Sequence, residues 1–112
     1  MRPQRKRLRM TAKVLALYNA PADPAAFDAY YADHHLALVR AVPGLRSVSR
    51  SSGPVGTPAG PSGVYQVSTY TFDSMAELQQ GLSSPAGVAA ADDLANFAPQ
   101  GLTLLLFEDE EV

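Results

Sequence analysis

The chain has 112 residues, of which 46% are apolar and 18% charged, and this composition is typical of a single globular domain. It contains no cysteine, which excludes disulfides, thiolate metal sites and a cysteine nucleophile, and favours a reducing, cytoplasmic location. From Met10 onward four basic residues stand against all eleven acidic residues, and this net charge of −7 argues against binding to nucleic acid.

The first nine residues differ from the rest, because they hold five of the nine basic side chains. We expect residues 1–9 to be a disordered basic extension and residues 10–112 to be the folded domain. The apolar run that follows the basic residues is too short for a signal peptide, and no segment is long enough for a transmembrane helix. The sequence therefore predicts no association with a membrane.

The first half of the domain is predicted to be a strand, a helix and a second strand. Lys13–Tyr18 is an almost continuous apolar run, which is typical of a strand buried on both faces. Asp23 is an N-cap before a proline, and its helix runs to about Val42, where a Pro-Gly pair follows. Leu45–Arg50 alternates weakly and is predicted to be an edge strand. The apolar stripe of the helix consists of Phe27, Tyr31, His34 or His35, Leu38 and Val42.

The second half begins with a long loop and a strand. Residues 51–63 are rich in glycine, proline and serine, and we expect no regular element there. Val64–Phe72 is the strongest strand signal in the chain, because β-branched and aromatic residues fill it. A Ser-x-x-Glu capping box begins a helix after Ser74 that ends near Ser83, and a Ser-Pro pair begins another that runs to about Leu94.

The end of the domain is predicted to be a turn and a last strand. Residues 95–101 form the turn, which carries Phe97 as an exposed aromatic side chain. Leu102–Phe107 is a strand that is apolar on both faces, and the acidic tail behind it is solvated.

This order of elements, βαββαβ, predicts an α+β domain of the ferredoxin-like class, with one four-stranded antiparallel sheet and two helices on one face. The other sheet face is then bare, although the first and last strands are apolar on both sides. Such a patch is larger than monomers usually expose, and most soluble oligomers are two-fold homodimers. We therefore expect a homodimer in which two sheets pack together.

The chemistry of the domain is limited to a few side chains. Tyr31 and His35 are four residues apart on one helix face, and a phenol beside an imidazole can serve as acid and base on a carbonyl or phenolic substrate. The alternative is that both are core residues whose polar atoms are bonded within the fold. His34 is expected to be the more solvated histidine.

Three further residues are candidates for contact with a substrate. Tyr70 lies on the tyrosine-rich strand, and Asn96 precedes Phe97 just before the last strand. These side chains either line a pocket or pack across the core. The sequence has no metal-ligand spacing and no nucleotide-binding glycine motif, so we expect neither a metal nor another cofactor.

Two stretches, AFDAYYADHHLALVRAVPGL and PAGVAAADDLANFAPQGLTLLL, resemble the EthD family of small bacterial proteins. The similarity covers residues 10–112. The family's aromatic-x-x-x-His-x-Pro-Leu pattern falls on Tyr31, His35 and Leu38, with Ala37 where proline is usual. The resemblance implies a homodimeric α/β barrel with a pocket between sheet and helices in each subunit. It also implies oxidoreductase-type chemistry, since cofactor-free monooxygenases are among the relatives.

Two functions follow from these observations. The first is a small enzyme that acts on a hydrophobic or aromatic carbonyl or phenolic compound without a tightly bound cofactor, with His35 and Tyr31 as catalytic residues. The second is a non-catalytic small-molecule-binding or accessory protein of a catabolic oxygenase system. A cavity of about 300 Å³ or more, with both side chains facing inward, would favour the enzyme.

Overall fold

The computed structural model describes residues 10–112, and the predicted basic extension lies outside the described residues. The described chain forms six strands and four α-helices, with a π-helical turn between the first two helices. They are β1 (Met10–Asn19), α1 (Pro24–Tyr30), the π turn (Tyr31–His35), α2 (Leu36–Arg40), β2 (Leu45–Arg50), β3 (Gly56–Thr57), β4 (Gly60–Pro61), β5 (Val64–Phe72), α3 (Met75–Ser83), α4 (Pro85–Phe97) and β6 (Leu102–Glu110).

Four of the strands form one antiparallel sheet in the order β2-β5-β1-β6, which confirms the predicted ferredoxin-like α+β fold. Val14 lies opposite Tyr70, and Ala16 lies opposite Ser68, so these buried residues share one sheet face. Helix α3 packs on that face against β1 and β5. The sheet is open, and the barrel that a second copy would close stays a prediction.

The prediction that β1 is buried on both faces is wrong for a single chain. Ala12, Val14, Ala16 and Tyr18 are buried on the helix side, whereas the residues between them, such as Leu15, are only half-buried. The difference arises because the helices cover one face of the sheet and leave the other open.

The first helical segment begins as predicted, because the Asp23 side chain accepts a hydrogen bond from the Ala26 backbone N–H. It ends at Arg40, two residues before the predicted end. In its middle the Leu36 N–H donates to the Tyr31 carbonyl five residues back, which is the hydrogen bond of a π turn. With this wider turn Val39 is buried, while the predicted stripe residue Leu38 is only half-buried.

The loop between β2 and β5 contains a regular element that was not predicted. Gly56–Thr57 and Gly60–Pro61 form a small antiparallel hairpin, so the expectation of an irregular segment over residues 51–63 is wrong there. The Thr57 hydroxyl donates to the Gly60 carbonyl at 2.9 Å and accepts from the Ala59 N–H at 3.2 Å. Gly60 has a φ of +135°, a conformation that favours glycine.

The C-terminal part differs from the prediction at two places. Helix α4 runs through Phe97, which is buried, so the predicted turn with an exposed aromatic is wrong at this residue. Strand β6 continues to Glu110, and part of the acidic tail is paired with β1, where Lys13 forms an ion pair with Asp109. The two predicted serine caps are confirmed, since Ser74 and Ser84 each accept a hydrogen bond from their own helix.

Across residues 10–112, the helices all fall short of the length and apolar character that crossing a bilayer requires.

Candidate active site

A buried carboxylate faces the candidate base. His35, in the π turn, is 2% exposed, and Asp93, on α4, is 7% exposed. The His35 Nδ1 and the Asp93 Oδ2 are 2.9 Å apart, although the two residues are 58 positions apart in sequence. The contact joins the first helical segment to α4 and fixes the plane of the imidazole ring.

Asp93 accepts two further hydrogen bonds on its other carboxylate oxygen. The Tyr30 hydroxyl donates to Oδ1 at 2.6 Å, and the Asn96 amide donates to it at 3.0 Å. Burial raises the pKa of Asp93, but the hydrogen bonds from Tyr30, Asn96 and His35 lower it by more, so the net shift is downward. The Asp93 side chain is therefore an ionised carboxylate that can only accept hydrogen bonds.

The charge of Asp93 decides the protonation of His35. Because a carboxylate only accepts, Nδ1 of His35 carries the proton, and Nε2 holds the lone pair. Burial lowers the pKa of His35, and the hydrogen bond and charge of Asp93 offset only part of that shift. At neutral pH His35 is therefore a neutral imidazole whose Nε2 can accept a proton.

His35 lies on the wall of an apolar cavity between the sheet and the helices. The cavity has a volume of about 150 Å³. Its polar lining residues are His35, Tyr18 and Tyr70, and the other lining side chains are aliphatic apart from Phe72. Leu104 and Leu106 of β6 form one side of it, at the part of the sheet that the helices do not cover.

Tyr31 lies next to this cavity but is not part of its wall. Its hydroxyl lies 2.9 Å from the Ser68 Oγ and 3.5 Å from the Tyr70 hydroxyl, and its ring is 5.7 Å from that of His35. The guanidinium of Arg50 lies 5.5 Å from the centre of the ring. Tyr31 is therefore connected to the cavity through Tyr70 rather than by lining it.

The three predicted substrate-binding residues have different positions. Tyr70 lines the cavity. Phe97 is buried against the ring of His35, at 4.6 Å between centroids, and it supports the imidazole rather than lining the cavity. Asn96 is exposed and its amide bonds Asp93, so the structure places it behind the candidate base. His34 is exposed, as expected.

A larger recess lies away from the His35–Asp93 pair. It has a volume of about 770 Å³, it is open to solvent, and it lies between the β3–β4 hairpin and the start of β5. His35 and Asp93 do not line it, and its walls are mostly loop residues. We therefore place the candidate active site at the smaller apolar cavity. No cluster of three His, Asp or Glu side chains within residues 10–112 could hold a metal ion.

Sequence reasoning did not single out Asp93 or Tyr18. Asp93 falls on the buried face of α4 with Ala90 and Phe97, at spacings of three and four residues. An acidic residue on the apolar stripe of an alanine-rich helix was the available signal, because a buried carboxylate needs partners. Tyr18 closes the alternating pattern of β1, and its strand position gives no sign that its side chain lines a cavity.

The geometry defines a class of small ferredoxin-like α+β proteins in which a buried His–Asp pair borders an apolar cavity. The EthD domain model matches residues 19–101, and the chain belongs to the EthD family. An uncharacterised 11.0 kDa protein of Rhodococcus erythropolis, from the thcB-thcC intergenic region, is 40% identical over 101 residues, which cover 89% of this chain and 96% of the relative. The crystal structure of an EthD family protein from Bacillus halodurans is 36% identical, with a TM-score of 0.80, and the match covers 88% of this chain and 98% of that one.

More distant structures share the fold alone. SnoaB, a cofactor-independent oxygenase from Streptomyces nogalater, is 15% identical with a TM-score of 0.61, over 88% of this chain and 91% of that one. A dimeric ferredoxin-like protein of unknown function from Thermobifida fusca is also 15% identical, with a TM-score of 0.63, over 88% and 90% of the two chains. A cofactor-independent oxygenase and a dimeric protein are thus among the structures whose fold this chain shares.

Proposed function

We propose that this EthD family protein is a homodimeric enzyme that transfers a proton to or from a small hydrophobic carbonyl or phenolic compound, without a tightly bound cofactor. The observation that supports the proposal most strongly is the buried His35–Asp93 pair on the wall of an apolar cavity. A neutral imidazole that a carboxylate orients on an apolar wall can act as a general base.

The proposed reaction begins when Nε2 of His35 removes a proton from the bound compound. The Asp93 carboxylate stabilises the imidazolium that forms, because it accepts a hydrogen bond from Nδ1 at 2.9 Å. The product is an enolate or a phenolate. An electron-rich anion of this kind is also the species that reacts with O₂ in an oxygenase without a cofactor. Oxidoreductase-type chemistry would then share this first step. Tyr31 contributes by positioning Tyr70.

The homodimer is proposed from the exposure of β6. Leu104 and Leu106 lie opposite Ala16 and Val14 on the helix side, and each is 46% exposed. The residues between and after them, Leu105 and Phe107, face the open side of the sheet and are 47% and 37% exposed. An apolar strand that is exposed on both faces is typical of an interface, and the simplest partner that covers it is a second copy of the chain. The cytoplasmic location stays a prediction.

A non-catalytic binding protein is the second candidate, and two observations favour it. The cavity of about 150 Å³ is smaller than the size expected for the enzyme, and Tyr31 does not face into it. In that case His35 and Asp93 would hold α4 against the first helical segment, and the cavity would bind a small molecule for an oxygenase system.

The test is an exchange reaction with a probe that fits the cavity. A cavity of about 150 Å³ accommodates a benzene-sized ring, so cyclohexanone is a suitable carbonyl probe. In D₂O a general base replaces the protons next to the carbonyl with deuterium, which NMR measures directly. We expect the wild type to accelerate this exchange and His35→Gln to lose about 100-fold or more of the acceleration.

The matched control is His34→Gln, which removes the neighbouring exposed imidazole and is expected to exchange at the wild-type rate. The rate should also fall at acid pH, and only below the ordinary histidine pKa of about 6.5, because burial lowers the pKa of His35 and the base must be neutral. If His35→Gln exchanges as fast as the wild type while keeping the fold, the enzyme proposal is wrong. Binding of cyclohexanone without any acceleration would support the binding protein instead.

A further inference from the structure

The hydroxyl of Tyr18 is buried without a hydrogen-bond partner among the described residues. The side chain is 0% exposed, and it lines the apolar cavity. Most buried side-chain polar atoms in proteins are hydrogen-bonded, and those that are not require an explanation, such as a ligand or an ordered water. The unpaired hydroxyl therefore points to a missing oxygen or nitrogen atom at this place.

The ring of Tyr18 is held rigidly, so the position of its hydroxyl is fixed. Phe27, Tyr31 and Phe97 surround it, with ring centroids 5.2, 6.2 and 5.7 Å away. Burial is the larger influence on the pKa of Tyr18 and raises it, while the neighbouring Tyr70 hydroxyl lowers it in part. Tyr18 thus remains protonated at neutral pH, and its hydroxyl lies near that of Tyr70.

A chain of hydrogen bonds ends at Tyr70 beside the cavity. The Gln66 amide donates to the Ser68 Oγ at 2.9 Å, and the Tyr31 hydroxyl lies 2.9 Å from the same oxygen. The Tyr31 hydroxyl also lies 3.5 Å from the Tyr70 hydroxyl, and either hydroxyl of each pair can be the donor. When Ser68 donates to Tyr31 and Tyr31 donates to Tyr70, the Tyr70 proton is left for an oxygen in the cavity or for the nearby Tyr18 hydroxyl, and this is the arrangement that a bound carbonyl oxygen would select. Burial also raises the pKa of Tyr70, so this proton stays in place.

The remaining cavity wall limits the charge of the ligand. Among the described residues that line it there is neither Lys nor Arg, and His35 is neutral. A carboxylate or phosphate would therefore be buried without a countercharge, which is strongly unfavourable. A neutral oxygen that only accepts hydrogen bonds fits the two donors.

We infer that the hydroxyls of Tyr18 and Tyr70 together bind one carbonyl oxygen, and that the ligand is a compact, neutral, apolar ketone or aldehyde. This inference rests on the proposed function, and it selects an enolisable carbonyl compound over a phenol. When His35 removes a proton beside the carbonyl, the electron pair of the C–H bond moves to form the C=C bond, and the carbonyl oxygen gains the negative charge. Both hydrogen bonds strengthen at that step, as in an oxyanion hole. Tyr18 and Tyr70 would then be catalytic residues, because they touch the reacting oxygen.

The experiment compares two probes of the same shape. Cyclohexanone and methylenecyclohexane differ only in that a CH₂ group replaces the carbonyl oxygen, and the affinity of each is measured by ligand-observed NMR. The ratio of their association constants is compared between variants, which cancels the different solvation of the probes in water. We expect Tyr18→Phe and Tyr70→Phe each to lower the ratio of ketone to alkene binding by about five- to tenfold.

The matched control is Tyr65→Phe, which removes a tyrosine hydroxyl that bonds Asp28 outside the cavity and should leave the ratio unchanged. A second readout is the infrared C=O stretch of bound cyclohexanone, which two donors shift to lower frequency and which each Phe variant should shift back. Because its hydroxyl has no partner in the chain, Tyr18→Phe is expected to unfold at the same temperature as the wild type or at a higher one.

An unchanged ratio in Tyr18→Phe would overturn the inference, as would a wild type that binds neither probe. A lower unfolding temperature of Tyr18→Phe would also overturn it, since the hydroxyl would then have a partner inside the fold. The outcome is separable from that of the enzyme proposal. If His35→Gln keeps the wild-type exchange rate but Tyr18→Phe lowers the ratio, the acid–base function fails and the carbonyl site stands.

Discussion

Replacing Asp93 by asparagine changes one atom of the site and tests the role of its charge. The Tyr30 and Asn96 hydrogen bonds share Oδ1, so the amide oxygen of Asp93→Asn is expected to take that position. The amide NH₂ group then faces Nδ1 of His35 in place of Oδ2. Two donors cannot face each other, and the proton of the imidazole must move from Nδ1 to Nε2.

The size of the effect follows from the bonds that are altered. The His35 bond changes from a charge-assisted hydrogen bond to a neutral one with reversed direction, and hydrogen bonds to charged groups contribute about 1 to 2 kcal/mol more than neutral ones. We expect a loss of about 1 to 2 kcal/mol in the free energy of unfolding, a factor of about 5 to 30 in the ratio of folded to unfolded protein. Exchange of cyclohexanone should fall by about 10² to 10⁴, because Nε2 no longer holds the lone pair.

The assay combines urea denaturation with long-range ¹H–¹⁵N NMR of the imidazole nitrogens, which distinguishes the two tautomers. The matched control is Asp92→Asn, which removes an exposed carboxylate next in sequence and should change neither the tautomer nor the stability. The reasoning is refuted if His35 of the wild type carries its proton on Nε2, or if Asp93→Asn leaves the tautomer unchanged.

Three more predictions concern pH, assembly and packing. The pKa of folded His35 lies below the unfolded value of about 6.5, so the unfolded chain binds more protons than the folded one at a pH between these two values. The free energy of unfolding should therefore fall as the pH drops through that range. Urea denaturation of His35→Gln should show a smaller fall. Leu105→Lys should convert a dimer to a monomer in analytical ultracentrifugation, while Val88→Lys, at an exposed position of α4 that does not line the cavity, should not; a wild type that sediments as a monomer contradicts the dimer. Gly87→Ala would place a Cβ 2.2 Å from the Gly81 carbonyl oxygen, although alanine normally stabilises helices. We expect it to lower the free energy of unfolding by about 1 to 3 kcal/mol, which thermal unfolding measures.

The sheet and its helices could be predicted because their signals are local. The caps at Asp23, Ser74 and Ser84 mark the beginnings of helices within three residues of sequence, and the apolar runs mark the strands. The π turn at Tyr31–His35 could not be predicted in this way. A short segment of i to i+5 hydrogen bonding leaves the apolar periodicity nearly unchanged, and the contacts that Tyr31 and His35 make with distant residues are not visible in the local sequence.

The candidate site could be predicted only in part, for a related physical reason. Tyr31 and His35 were accessible as neighbours on one helix. Asp93 is distant in sequence, and its partnership with His35 depends on how α4 packs against the first helical segment. The unpaired hydroxyl of Tyr18 is harder still to foresee, because the lack of a partner is a property of everything around it. Spacing along one element predicts neighbours, and only the packed fold shows which polar atoms remain unsatisfied.

The wide turn at Tyr31–His35 also bears on the number of residues that the chain can hold at this place. An i to i+5 turn holds one residue more than an α-helical turn, so it takes up the extra residue while the helical segments before and after it keep their packing. If all these residues formed a regular α-helix instead, everything after the turn would rotate by about 100° and carry the imidazole away from Asp93. With this residue count, helical regularity and alignment of the base oppose each other. We expect relatives that have one residue fewer in this segment to form a regular α-helix in place of the wide turn.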